Sequence, residues 1–246
     1  MKNIAILVIL MTVAFSLPKQ RPIIGIFTQS TDSDEPTVED LGLGPSNSKN
    51  TSYVAASYVK FIQMSGAQVI PIFAYSDRSY LDDLLPKING VLFPGGDAEI
   101  NISNKWTQNA DYILKYAIAE NKKGNVFPIW GTCLGMQLLA YLTSGYDAKA
   151  IAPVRGEVAV KNTLVIQPGS VILSDLSSNL ENRLQSGEGI LYFNHHYAVT
   201  KTYFQGSEKL RSFWRVDAMT TSSFSDEFLS MFTAKEYPFY GVQFHP

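Results

Sequence analysis

Val126-Phe127-Pro128-Ile129-Trp130-Gly131-Thr132-Cys133-Leu134-Gly135-Met136-Gln137-Leu138-Leu139-Ala140-Tyr141-Leu142 is the stretch that decides the fold. Residues 126–130 form a short apolar run of the kind shown by a strand buried on both faces. A helical pattern follows and continues through Leu142. Gly131 and Gly135 let the chain turn sharply between the two. A cysteine on such a turn sits at a helix N-terminus, where free N–H groups and the helix dipole favour an anion. The geometry resembles the strained elbow of Gly-x-Ser-x-Gly hydrolases, with an exposed sulfur in place of the hydroxyl.

The same alternation extends back to residue 21. Arg21-Pro22-Ile23-Ile24-Gly25-Ile26-Phe27 reads as a first buried strand. Residues 31–51 are polar and rich in Gly, Pro, Ser and Asn, and read as a loop. Residues 53–64 carry Ala55, Tyr58, Val59 and Ile62 at helical spacing, with Gly66 as a stop. Residues 68–73 and 90–93 are further strands, and residues 78–85 and 106–121 further helices. Strands alternating with helices predict a mostly parallel sheet covered on both faces. Beyond residue 150 the pattern changes to Val-, Ile- and Thr-rich stretches at 154–173, with a closing strand pair at 230–234 and 239–244. One α/β domain over residues 17–246 is expected.

The 246 residues suffice for one large domain. Hydrophobic residues make up 46% and charged residues 17%, so a full core is available. A net charge of −2 leaves no basic surplus for phosphate backbones, so no nucleic-acid partner is expected. Lys2, the apolar run 4–15 and the small residues Ala14 and Ser16 have the layout of a signal peptide over residues 1–16. The run is short for a membrane span, so the mature protein is expected in the secretory pathway, free of the membrane. Sequons at Asn50 and Asn101 fit that route. A secreted chain normally pairs its cysteines, yet Cys133 is alone in the sequence. It is an inert buried thiol, an intermolecular link or a nucleophile.

A nucleophilic reading finds its other parts at strand ends, where open α/β sheets bind ligands. The N–H of Leu134 and one from the Gly95-Gly96 turn, taken as Gly96, could hold an oxyanion. Of three histidines, His245 closes the strand-like run Tyr240-Gly241-Val242-Gln243-Phe244 and is the best placed base. His195 and His196 lie in an aromatic cluster suited to a pocket rim. Adjacent histidines point to different sides and have no acidic partner at ligand spacing, so no metal is expected.

These residues also carry a resemblance. Arg21 to Ile26, Tyr53-Val54-Ala55-Ala56-Ser57-Tyr58-Val59-Lys60, Ser65-Gly66-Ala67, Ile88 to Gly96, Phe127 to Gly135 and Tyr237 to Pro246 resemble the gamma-glutamyl hydrolases of the class I glutamine amidotransferase-like superfamily. The resemblance implies a flavodoxin-like sheet, Cys133 as nucleophile, His245 as general acid and base, and Tyr58 and His195 at the substrate pocket. It implies a gamma-glutamyl peptide as substrate, typically a folylpoly-gamma-glutamate, no cofactor, and an extracellular, lysosomal or vacuolar site where a thiolate–imidazolium pair stays ionised in mild acid. Assembly as a homodimer is left open. The sequence departs from the family pattern twice. That pattern continues past His-Pro to a histidine-orienting Glu and a final helix, whereas this sequence stops at Pro246, as a truncated chain would. Gln137 stands where family members often carry Glu and glutaminase domains often carry Gln. A glutaminase, and a secreted pocket protein without turnover, remain alternatives.

Overall fold

The computed structural model describes residues 21–30, 52–170, 172–186 and 190–245. The expected signal peptide, the 31–51 loop, the Asn50 sequon and Pro246 lie outside them.

The expected alternation is present. Strand β1 (Ile23–Phe27) leads to helix α1 (Ala56–Met64), β2 (Gln68–Ile72), α2 (Arg78–Leu84), β3 (Gly90–Phe93), α3 (Lys105–Lys122), β4 (Ile129–Thr132) and α4 (Leu134–Thr143). Helix α1 ends where expected, with Gly66 at φ +86° just past its C-cap. Asn104 caps α3 by accepting the Thr107 N–H. The chain then adds the two-residue strand β5 (Val165–Ile166), helices α5 (Ser178–Gln185), α6 (Lys201–Gly206) and α7 (Glu208–Phe213), and strands β6 (Trp214–Thr221), β7 (Glu227–Ala234) and β8 (Phe239–Val242).

One eight-stranded sheet takes the order β2-β1-β3-β4-β8-β7-β6-β5. From β2 to β8 the neighbours are parallel. Beyond β8 they are antiparallel. Pro71 is tolerated because β2 is an edge strand. Side chains alternate across the sheet. Phe27, Val91, Phe93, Ile129 and Phe239 enter one core with α2, α3 and α4. Ile26 and Leu92 face the other way, onto Tyr58 and its neighbours on α1. Further along that second face, Phe228, Met231 and Val242 pack with Phe193 and Leu184. Helix α4 is buried along nearly its whole length, consistent with its apolar composition on all sides.

Three expectations shift. The fourth strand starts at Ile129 rather than Val126, which is exposed, and it runs through Thr132, so the turn falls on Cys133 itself. The 154–173 stretch supplies Val160–Asn162, paired with Leu191–Phe193, and only β5 reaches the main sheet. The long strand β6 has no counterpart in the expected elements. Its alternation is broken by a bulge between Val216 and Ala218, beside the fully buried Asp217.

Candidate active site

Neighbouring strand ends build the site. In β4, Gly131 pairs with Phe93 of β3 on one side and with Gly241 of β8 on the other. Continuing past the carboxyl ends, β3 delivers Gly95 and Gly96, β4 delivers Cys133, and β8 delivers His245. Tyr58 arrives from α1, and the 194–197 loop arrives from the smaller strand pair. These residues line a cleft of about 790 Å³, with Gln137 and Leu134 of α4 and the acidic Asp97 and Glu99. The topology thus brings together all six residues singled out in the sequence: Cys133, His245, Gly96, Leu134, Tyr58 and His195.

Cys133 is the elbow. Its φ is +50° and ψ −108°, a conformation that costs an L-residue of order 1–3 kcal/mol. The strand and helix on either side impose it: the Cys133 N–H donates to Val242 O at 2.7 Å, and its carbonyl accepts from Gln137 N at 3.0 Å. The sulfur is buried at the cleft wall, not exposed as the elbow comparison suggested. Its thiol faces the Asn194 carbonyl at 4.0 Å, and Gln243 Nε2 lies 3.6 Å from it. Burial pushes the Cys133 pKa up to about 12, against pulls from the Leu134 N–H and the Gln243 amide.

Gly95 marks where the other parts meet. A Cβ there would lie 2.6 Å from the Tyr58 hydroxyl, 2.8 Å from His245 Cε1 and 3.2 Å from Cys133 Cβ. The Gly95 N–H donates to the Tyr58 hydroxyl at 2.8 Å, and that hydroxyl lies 3.4 Å from His245 Nδ1. Burial raises the Tyr58 pKa well above the ordinary phenol value, so it stays a phenol. Gly95→Ala should therefore displace the reacting side chains and lower kcat by about a hundredfold, in line with a misplacement of about 1 Å. Steady-state kinetics on the folded variant checks this.

The backbone of His245 is held by donation of its N–H to Tyr192 O at 2.8 Å. Burial lowers its pKa below the ordinary imidazole value. Burial thus opposes the charged form of both groups, and among the described residues no hydrogen bond joins them. Desolvation thus works against the thiolate–imidazolium pair that the resemblance implies.

His195 is buried, and among the described residues neither ring nitrogen has a partner at full hydrogen-bond geometry, the Tyr197 backbone making at most a weak contact. Burial lowers its pKa to about 4, against a small opposing pull from the Tyr197 backbone. The unfolded chain binds this proton near 6.5, so between 6.5 and about 4 the unfolded state holds more protons. The stabilisation is complete above that window and is lost as pH falls through it. The contribution is about 3 kcal/mol. Urea unfolding at pH 7.5 and pH 4 should show the parent losing about that much more stability than His195→Gln.

Gln243 and Gln137 touch this machinery without having been assigned a role from sequence. A glutamine has no titration signature, and only the fold shows that these two meet beside Cys133. Among the described residues, no three His, Cys, Asp or Glu side chains gather to hold a metal ion.

Residues 22–246 match the Peptidase C26 family model. The chain belongs to the Peptidase C26 family. Curated relatives include gamma-glutamyl hydrolase B of Dictyostelium discoideum, 30% identical over 226 residues, and gamma-glutamyl hydrolase of Rattus norvegicus, 32% identical over 227 residues. Each alignment covers 92% of this chain, which spans 62% of the first protein and 67% of the second. Among solved structures, one GMP synthase component from Thermoplasma acidophilum superposes with TM-score 0.50 and 16% identity, covering 92% of this chain and 85% of that one. It shares the α/β fold of this Peptidase C26 chain.

Proposed function

We propose that the chain hydrolyses gamma-glutamyl peptide bonds through Cys133, with folylpoly-gamma-glutamates as the substrate class. The observation that carries this is the meeting of Cys133, His245 and Tyr58 around Gly95, at adjacent strand ends of a Peptidase C26 fold. The names of the relatives support the gamma-linked glutamyl bond.

Because burial opposes the charged forms of both groups, the first step starts from thiol and imidazole. Cys133 Sγ attacks the gamma-carbonyl carbon as its proton passes to His245. In the tautomer that donates Nδ1–H to the Tyr58 oxygen, Nε2 holds the lone pair that receives it. The carbonyl π electrons move to oxygen, and the resulting oxyanion is held by the N–H groups of Gly96 and Leu134, the latter opening α4. The electrons return, the C–N bond breaks, and His245 protonates the departing amine. Water then attacks the thioester as His245 takes its proton, releasing the gamma-carboxylate and restoring the thiol. Tyr58 and His195 take the role of pocket walls for the glutamyl group.

The secretory route is read from the layout of residues 1–16, with the sequons at Asn50 and Asn101 in keeping with it. A glutaminase is the second reading, favoured by Gln137 in the Gly-x-Cys-x-Gly-x-Gln pattern. Glutamine presents the same gamma-carboxamide, and only the leaving group differs. Incubation with a diglutamyl folate and, separately, with glutamine tests the choice. Faster glutamate release from the folate supports the hydrolase, and faster ammonia release from glutamine overturns it.

A further inference from the structure

Two buried amides stand in series behind the sulfur. Gln243 is fully buried, and its Nε2 lies 3.6 Å from Cys133 Sγ. Gln137, also buried, places its own Nε2 3.4 Å from Gln243 Oε1 and 2.6 Å from the Tyr197 carbonyl. A glutamine amide can be turned either way in principle, but here the series has a fixed end. The Tyr197 carbonyl only accepts, so the Gln137 group facing it must be the NH₂. The second N–H of that group then faces Gln243, whose facing atom must be oxygen. The Gln243 NH₂ is left facing sulfur. Turning Gln137 alone would oppose two oxygens at Tyr197, and turning Gln243 alone would oppose two NH₂ groups. Tyr197 itself is held by its antiparallel pairing with Pro153.

The direction matters because a hydrogen bond to an ionised acceptor is about twice as strong as one to a neutral acceptor. An N–H aimed at sulfur therefore favours the thiolate over the thiol. Cys133 needs that help, since burial opposes its ionisation and the Gln243 amide and Leu134 N–H are the groups that pull the other way.

We propose that Gln243 is a further catalytic residue whose side-chain amide donates to the Cys133 sulfur as it ionises, with Gln137 the positioning residue that fixes the polarity of that donor. Gln243 gives up no proton. The thiol proton still goes to His245 and the sulfur electron pair to the carbonyl carbon; the pair returns to sulfur when water has attacked the thioester and the S–C bond breaks, as the thiol re-forms. This extends the hydrolase reading, because it concerns the same nucleophile.

The test is the alkylation rate of Cys133 by iodoacetamide across pH 5 to 9 in the folded full chain. Cys133 is the sole cysteine, so the signal is unambiguous. The probe needs no glutamyl substrate, so a protein that fails to cleave gamma-glutamyl bonds still reports on this proposal separately. Gln243→Glu keeps the size of the side chain. As a neutral acid it can still donate, and as a carboxylate it cannot. Its rate relative to the parent should therefore fall with rising pH, reaching about a tenfold deficit at pH 8. With a cleavable substrate, kcat should fall similarly while KM holds. Gln137→Met should lower the rate in the same direction by less. Because the Glu carboxylate also repels the thiolate, Gln243→Met, which adds no charge and cannot donate, is run beside it: it should lower the rate about tenfold with the parent's pH dependence, whereas a purely structural role predicts the parent's rate in folded Gln243→Met. A flat ratio in folded Gln243→Glu, or the parent's rate in folded Gln243→Met, overturns the proposal. If neither variant folds, an unchanged rate in Gln137→Met overturns it.

Discussion

Cys133→Ala is expected to lower gamma-glutamyl hydrolysis by at least about 10⁴-fold while leaving the fold in place. The loss is large because the sulfur has no substitute: it is the sole thiol in the chain, and the nearby tyrosine is held as a phenol by burial. The fold should survive because the substitution removes one atom and leaves the backbone bonds of residue 133 to Val242 and Gln137 intact. Alanine keeps the Cβ, and with it the strain of φ +50°. Cys133→Gly releases that strain and should be about 1 kcal/mol more stable than Cys133→Ala, with the same loss of turnover. Kinetics and urea unfolding of the two variants, side by side, separate the nucleophile from its backbone.

Gly135→Ala should produce the largest loss of stability. A Cβ there would drive into the Phe93 carbonyl oxygen, lying 2.7 Å from its carbon and 2.9 Å from Phe93 Cβ. Those are atoms of β3, which is locked between β1 and β4, so no flexible side chain can give way. Overpacking of this kind costs about 3 kcal/mol, the upper end of the usual range, because the strain falls on backbone. In a chain of this size that is a fall of about 10 °C in Tm. Calorimetry of Gly135→Ala checks it. Gly66→Ala is a control without a steric clash, because among the described residues no atom lies within 4 Å of a Cβ there, and its φ of +86° is what resists the change.

These expectations show where sequence alone was sufficient. The parallel half of the sheet and the elbow at Cys133 were legible because apolar runs, helical spacing and paired glycines are local signals. His245 could be placed because a strand leads directly to it. Strand β6 was not legible, because a bulge beside the buried Asp217 breaks the pattern where alternation should hold. Helices α5, α6 and α7 are short, and their caps are single serines or threonines with little periodicity to announce them. Within the site, the residue types were readable but their charge states were not. Burial depends on what the 194–197 loop and α1 bring over the sulfur, and that burial opposes the charged forms of the cysteine and the histidine. The pairing of Gln243 with Gln137 was equally hidden, since the two are distant in sequence and meet only where β8 lies beside β4.

The central claim is that Cys133 forms a thioester with a gamma-glutamyl group. Intact-mass spectrometry of protein mixed with a gamma-linked diglutamyl substrate and quenched in acid within the first turnover tests it most directly. The expected result is an added mass equal to the acyl portion of the substrate, located on Cys133, removed by hydroxylamine and absent with the alpha-linked isomer. Glutamate release with no adduct on Cys133, undiminished in Cys133→Ala, would contradict it.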